Sequence, residues 1–208
     1  MLYIMQSGGS FMWVILAVSV IAFALFAERY YFLFLRLNLN IDKSANQVKK
    51  LLQESNYQAA LEECNRIIRH PLGRVLKSGI LKAGRRDKEI EQALQESVLR
   101  EVPNLKSRIN YLSLVANIAT LLGLLGTIIG LISAFAGVAD AAASEKQEIL
   151  SAGISVAMFT TAFGLVVAIP SMAGFYLLNN RSDWLVSKID EKALSVFSVL
   201  TAREQSKD

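Results

Sequence analysis

The sequence predicts an all-α integral membrane protein with three transmembrane helices, the second and third extended into a cytoplasmic helical bundle. Three observations carry that prediction. The 208 residues are 53% apolar with a mean hydropathy of +0.37, too hydrophobic for an ordinary soluble domain. The apolar residues collect in three blocks, Phe11–Leu35, Tyr111–Ala139 and Ile149–Leu178. Each is long enough to cross roughly 30 Å of hydrocarbon at about 20 residues per helix. The cations avoid those blocks: of 22 Lys and Arg residues, 15 lie between Arg36 and Arg108 and five follow Asn180, leaving Arg29 inside the first block and Lys146 between the last two. A chain in hydrocarbon must satisfy its own backbone hydrogen bonds, so the three blocks are helices. The positive-inside rule places residues 36–108 and the C-terminal tail in the cytoplasm, with the N-terminus and the short loop after the second block on the other side. The organisation is then 1–10 outside, 11–35 first span, 36–110 cytoplasmic helical domain, 111–139 second span, 140–148 outer loop, 149–178 third span and 179–208 cytoplasmic helix and tail.

The first helix begins near Phe11 and closes on Tyr30, Tyr31, Phe32 and Phe34 before Arg36, an aromatic belt followed by a cytoplasmic anchor. Residues 1–10 carry no Lys or Arg, and the run is too long and lacks a small-residue cleavage pattern, so it reads as a retained helix rather than a signal peptide. Glu28 and Arg29 read as snorkelling anchors. In the cytoplasmic segment, Ser44-x-x-Gln47 has capping-box spacing and opens a short helix. Tyr57, Ala60, Leu61, Cys64, Ile67 and Ile68 recur at helical period, and His70-Pro71 ends that helix. Leu72, Val75, Leu76 and Ile80 mark another, stopped at Gly84. Asp87 caps the next, with Ile90, Leu94, Val98 and Val102 four apart. Pro103 kinks it, yet no turn signal follows, so the second membrane helix is expected to begin well inside the cytoplasm. The third is expected to continue to about Thr201 through Trp184, Leu185, Ile189, Leu194 and Phe197.

The chemistry these residues allow is narrow. One histidine, one cysteine and no Walker A, HExxH, GxSxG or metal-spaced Cys/His pattern speak against an enzyme. His70 beside Pro71 reads as a cap or surface residue, and Cys64 lies on the reducing side. The pI near 9.2 follows from the placement of cations and calls for no nucleic acid. What remains is the interior of the second and third spans. One carries Gly123, Gly126, Gly130 and Ala134; the other carries Gly153, Ala157, Thr161, Gly164, Ala168 and Ser171 along one face. Small residues at such spacing let membrane helices approach closely. Thr127, Thr160 and Thr161 lie in or beside these stripes, where threonines also bond to carbonyls of their own helix. No Asp, Glu, Lys, Arg or His occurs at membrane depth in either span. A path lined by hydroxyls and carbonyls coordinates a cation but holds no proton, so if ions cross here a titratable group must come from another chain.

Gly123-Leu-Leu-Gly-Thr-Ile-Ile-Gly130 and the run from Ala152 to Pro170, with Thr160-Thr161 at its centre, resemble the signature region of the MotA/TolQ/ExbB proton-channel family. His70-Pro-Leu-Gly-Arg-Val-Leu76 and Glu28-Arg29 are similar to further family segments. Three spans with an outward N-terminus fit the ExbB/TolQ branch. The resemblance implies a bacterial inner-membrane protein with a periplasmic N-terminus and a cytoplasmic C-terminus. It implies a homopentamer around a dimer of an ExbD- or TolR-like single-span partner that carries a membrane aspartate, working with a TonB- or TolA-like protein. Ion flow past that aspartate turns the pentamer. Thr127 and Thr161 match the family's pore threonines, with Thr160 beside them. Gly123, Gly126, Gly130, Gly153, Gly164 and Pro170 are assigned to helix packing, and the small-residue faces are expected to hold the copies together.

One departure bears on the ion. Val156 stands where relatives carry glutamate, and Thr160 where they carry alanine, which removes a candidate proton relay and adds a hydroxyl. H⁺ and Na⁺ both remain open, with the threonine pair favouring Na⁺, a hard cation suited to oxygen ligands. No cofactor is expected, and no metal beyond a transient Na⁺ at Thr127, Thr160 and Thr161. The rival reading is a non-conducting membrane scaffold whose threonines only pack helices. A solute transporter fits poorly, because three helices without an internal repeat do not build a two-halved alternating-access core.

Overall fold

The computed structural model describes residues 11–202; residues 1–10 and 203–208, which hold the expected outer segment and the end of the expected cytoplasmic tail, lie outside the described residues. Every regular element among the described residues is helical. Helix α1 is Phe11–Tyr30, passing into a π-helical turn at Tyr31–Arg36. Then come α2 (Ile41–Gln53), α3 (Tyr57–Arg66), α4 (Pro71–Ile80), α5 (Asp87–Lys106), α6 (Ile109–Asp140) and α7 (Lys146–Ala202). Three stretches are long and apolar enough to cross a membrane: Phe11–Arg36, Asp87–Ala139 and Lys146–Ala202.

The chain divides into two compact units. The first holds α1, α6 and α7 as far as Leu178. Ile15, Ala119, Val167 and Ala168, one or two from each helix, form its core, with Val18, Leu122 and Phe163 packed on them. Large side chains such as Trp13, Phe23, Leu121, Phe135 and Val166 point outward. That pattern inverts a soluble bundle: small residues face inward so helices approach, and bulky ones face lipid. Phe26 leans on Gly174, where an added Cβ would meet its ring at 2.8 Å.

The second unit holds Tyr31–Ser107 and α7 from Asn179. Its helices are amphipathic: α2 buries Ile41, Ala45, Val48 and Leu52, spaced three and four apart. The cap of α2 is Asn40, whose side chain accepts the Lys43 N–H at 3.1 Å, so the helix starts before Ser44 and the Ser44–Gln47 capping box is not its N-terminus. An asparagine ahead of the first buried position meets the orphan N–H groups before Ser44 is reached. Asn56 caps α3 in the same way. His70 opens α4 instead of closing α3, which already ends at Arg66. Its Nδ1 accepts the Leu72 N–H at 3.1 Å, and Pro71 takes the first helical position, where a missing N–H costs nothing. Gly73 permits a close passage, since a Cβ there would stand 2.5 Å from the Ile67 carbonyl oxygen. Asp87 is the first residue of α5 and Arg86 its cap position, without a side-chain bond. The expected passage from α5 into α6 is broken at Ser107–Arg108, where Arg108 adopts a left-handed φ of 61° that no right-handed helix accommodates. Pro103 stays within α5.

Polar contacts fasten this unit. Arg74 makes a two-pronged pair with Glu101, both bonds 2.6 Å, and donates to the Ile68 carbonyl at 2.9 Å. Lys192 pairs with Asp42 at 2.6 Å. The Arg181 guanidinium lies over Trp184 and Phe34, 4.4 and 5.3 Å from the ring centres. Burial pushes the Cys64 thiol up to about 12, which leaves it protonated and inert.

His70 is buried, and burial together with the neighbouring Arg74 charge pushes its pKa down to about 4; Arg181 acts in the same direction and Glu101 against it. Because the folded value lies below the unfolded one, the unfolded chain takes up a proton first as pH falls. The second unit is therefore predicted to hold full stability above about pH 6.5 and to lose it progressively as pH drops toward 4. Thermal unfolding of the detergent-solubilised protein across that range checks this. His70→Asn keeps a capping side chain without the titration and should flatten the profile; an unchanged slope would assign the pH dependence to other groups.

Candidate functional site

The site is built in the first unit, on the facing stripes of α6 and α7. A Cβ on Gly164 would stand 2.7 Å from the Ala119 carbonyl oxygen and 3.0 Å from Gly123 Cα. A Cβ on Gly123 would lie 3.2–3.3 Å from the backbone of Thr160, Thr161 and Gly164. Gly126 faces the Thr160 side chain, where a Cβ would come within 2.8 Å, Gly130 faces Ala157 at 3.1 Å, and Gly153 abuts Ala134. Two helix backbones thus run nearly in contact over about three turns. In lipid such contact draws on van der Waals packing and interhelical hydrogen bonds, with no hydrophobic drive between the helices. The small-residue face is therefore consumed inside one chain. This corrects the expectation that the same face holds separate copies together.

Close approach brings three hydroxyls and two carbonyls into one cluster. Thr127 Oγ1 lies 3.2 Å from both the Gly123 and Ala157 carbonyl oxygens and is in short contact with Thr161 Oγ1. Thr161 donates to the Gly123 carbonyl at 3.2 Å, across the helix pair. Thr160 donates to the Ala157 carbonyl at 2.8 Å. A hydroxyl has one proton to give, so Thr127 can serve only one of its neighbours at a time. The cluster is consequently not locked into a single donor pattern.

The three threonines do not share a surface. Thr127 and Thr161 are half-buried at the edge of the interface, whereas Thr160 is 1% exposed and sits beneath Gly126. Neighbouring helical residues point about 100° apart, so Thr160 and Thr161 cannot line one wall as a pair. Val156 is half-buried and brings no oxygen. Pro170 is exposed on α7 and borders a cleft facing α1. Thr120 adds a further hydroxyl on α6, bonded to the Ala116 carbonyl at 3.1 Å; its spacing of seven from Thr127 was the available signal. A second feature beyond the sequence reading is the 2.6 Å ion pair between Arg108 and Glu28, eighty residues apart. Among the described residues, no group of His, Cys, Asp and Glu is placed to hold a metal.

Comparison with known proteins bears on this arrangement. The family model described as the MotA/TolQ/ExbB proton channel family matches residues 61–191. A putative biopolymer transport protein ExbB homolog of Methanothermobacter thermautotrophicus is 28% identical over 189 residues, covering 89% of this chain and 65% of that protein. Biopolymer transport protein exbB1 of Vibrio cholerae is 31% identical over 84 residues, 40% of this chain and 37% of that protein. The chain spans less than two thirds of either relative. A solved structure of C. jejuni MotAB shares the fold, with a TM-score of 0.70 at 16% identity over 95% of this chain and 80% of that one.

The geometry predicts an ordered series of glycine substitutions. A methyl at Gly164 collides with backbone, which cannot yield, whereas one at Gly137 meets only the Ile149 side chain at 3.0 Å. Gly164→Ala should destabilise the helix pair by about 1–3 kcal/mol, in the overpacking range, and Gly137→Ala by much less. Thermal unfolding of the solubilised variants measures both. Equal effects would show that the helices are not in backbone contact.

Proposed function

Because the chain belongs to the MotA/TolQ/ExbB proton channel family, we propose that it is the channel-forming subunit of an ion-driven rotary motor in the bacterial inner membrane. On this reading it couples an H⁺ or Na⁺ gradient to mechanical work on the cell envelope in the manner of ExbB and TolQ. The observation that carries the proposal is the Thr127–Thr161 hydroxyl pair, held at the edge of a backbone-tight helix pair at membrane depth. Intramembrane polar groups are costly and tend to mark ion paths. With no Asp, Glu, Lys, Arg or His in the sequence from Ile149 to Asn180, or in α6 before Asp140, the chain has no carboxylate, amine or imidazole there to carry a proton.

The complement is a single-span, ExbD- or TolR-like partner with one membrane aspartate. A carboxylate beside Thr127 and Thr161 accepts hydrogen bonds from their hydroxyls when charged and donates one to a hydroxyl oxygen when protonated, and the unlocked donor pattern suits that exchange. Five copies of this chain around two of the partner, with a TonB- or TolA-like protein receiving the motion, complete the assembly we infer. The N-terminus is assigned to the periplasm and the C-terminus to the cytoplasm on the distribution of cations.

Thr160 has a different place in this scheme from the one its neighbour holds. Its hydroxyl is committed to the Ala157 carbonyl, the same oxygen that Thr127 approaches. It sets the polarity of the cluster from behind. Na⁺ needs several oxygens at once, whereas a proton needs the partner's carboxylate and a water. A scaffold reading draws on the fact that each of the three hydroxyls has a carbonyl within reach in its own chain.

Ion flux into cells co-expressing the chain and its partner separates these readings. Thr161→Ala should cut flux at least about ten-fold, equivalent to ~1.4 kcal/mol or more of barrier, with assembly intact. A wild type without flux identifies a scaffold. A sodium titration at fixed pH then assigns the ion: under the Na⁺ reading, Thr160→Ala loses sodium dependence while the fold persists. Wild-type function that is equal with and without sodium assigns H⁺.

A further inference from the structure

One face of α6 is polar over about half its length. Asn110, Ser113, Asn117, Thr120 and Thr127 follow one another at spacings of three, four, three and seven residues. At about 100° per residue they share one arc of about 100°, and at about 1.5 Å per residue they run ~25 Å, from the Arg108 end of the helix to the threonine cluster. Asn110, Asn117 and Thr120 are exposed, and Ser113 and Thr127 are half-buried. The chain's own helices lie on other sides of α6. Ala119 and Leu122, which pack with Ile15 of α1, point about 140–160° away from Asn117. The contact with α7 runs through Gly123, Gly126 and Gly130.

Hydrocarbon tolerates some of these groups. A serine or threonine hydroxyl can return its proton to the helix, as Thr120 does by donating to the Ala116 carbonyl at 3.1 Å. A carboxamide has no such resort, because it carries two donors and an acceptor. Among the described residues no group bonds the Asn117 amide. Leaving it in lipid forfeits hydrogen bonds that water supplies. Water reaches the stripe at one end, where Glu28 and Arg108 form their exposed ion pair. That end is nine residues before Asn117, or ~14 Å along the helix. Beyond Thr120 the polar stripe stops for a turn: Leu124, 53% exposed, stands on the same face between Thr120 and Thr127.

We propose that in the assembled complex this face of α6 lines a water-filled route that opens at the Arg108 end and closes at Leu124. Asn117 is its positioning residue, holding the water that carries an ion between the threonine cluster and that end. The role given to Asn117 rests on the channel reading above, whereas the route itself does not. A water file reaching Thr127 unbroken would let ions leak past. Leu124 leaves one apolar turn for the partner's carboxylate to bridge, much as hydrophobic constrictions hold pores shut by excluding water. A helix of another chain is the rival cover for Asn117, since asparagines also pair membrane helices. The continuation of polar groups down to the exposed ion pair favours water.

Cysteine accessibility tests the route without requiring ion flux. Single cysteines in a Cys64→Ser background are reacted with the charged, membrane-impermeant thiol reagent MTSET, in inverted vesicles from cells expressing the chain with the partner proposed for it. The reagent reacts with thiolates and so reports water. Asn117→Cys and Thr120→Cys should react within about ten-fold of the rate at Lys88→Cys, an exposed position in the second unit. Ile118→Cys, at the depth of Asn117 but turned about 100° from it, and Leu124→Cys should react at least about a hundred-fold more slowly. If Asn117→Cys does not reach the membrane, Ser113→Cys takes its place. Asn117→Leu should lower ion flux about ten-fold with assembly unchanged, and Asn117→Gln should retain most of the flux. Slow reaction at positions 117 and 120 overturns the route; if Asn117→Leu also loses assembly, the face belongs to a partner helix. Unchanged flux in Asn117→Leu overturns the role of Asn117. The expected labelling pattern in a complex that passes no ions upholds the route and overturns the channel reading instead.

Discussion

The near-contact of the α6 and α7 backbones is the constraint on which the rest of the membrane unit depends. It exists because Gly123, Gly126 and Gly164 offer no Cβ where one would meet backbone or the Thr160 side chain at 2.7–3.3 Å. Only at that separation does the Thr161 hydroxyl reach a carbonyl of the facing helix, and only then do Thr127 and Thr161 meet. A polar cluster in hydrocarbon is tolerable when its members satisfy one another, and here three hydroxyls share two carbonyls. Side chains at the glycines would separate the helices and strand those groups. Packing and polarity are thus one design in this unit.

The same constraint decides which faces remain for lipid and partners. With the glycines packed between α6 and α7, the outward faces of the membrane unit mix bulky apolar side chains such as Leu121, Phe135 and Val166 with small and polar ones such as Ser133, Ala152, Ser155 and Ala162, while Thr127 and Thr161 lie at the interface edge. The second unit is held by other forces. The Arg74–Glu101 pair is two-pronged, half-buried and reinforced by the Ile68 carbonyl, whereas pairs such as Arg86–Glu89 and Arg100–Glu96 are exposed and contribute little. Helix α7 runs unbroken through Leu178 and Asn179, so it is an element of both units.

Much of this was legible in the sequence, and the illegible parts have physical reasons. Three spans follow from run length alone, since no other structure satisfies a backbone in lipid. The glycine-threonine motifs marked the site, but a stripe of small residues looks the same whether it packs within a chain or between chains. The separation of Thr160 from Thr161 is implicit in helix geometry, and their adjacency obscured it. The break at Arg108 has no sequence signature, because arginine seldom adopts a positive φ and neither glycine nor asparagine announces the turn. Asn40, not Ser44, caps α2, and Asn56 caps α3, a helix for which periodicity alone supplied no cap; the cap is the polar residue that stands ahead of the first buried turn. The Glu28–Arg108 pair joins positions that only the fold brings together.

The central claim is that this chain supplies hydroxyls and a rigid backbone wall, and that the proton-holding group belongs to another chain. Conductance of liposomes reconstituted with the chain alone, and then with the single-span partner proposed for it, tests that claim most directly. The account predicts no ion flux from the chain alone, flux with the partner, and none when the partner's membrane carboxylate is replaced by an amide. Proton conduction by this chain on its own would contradict it.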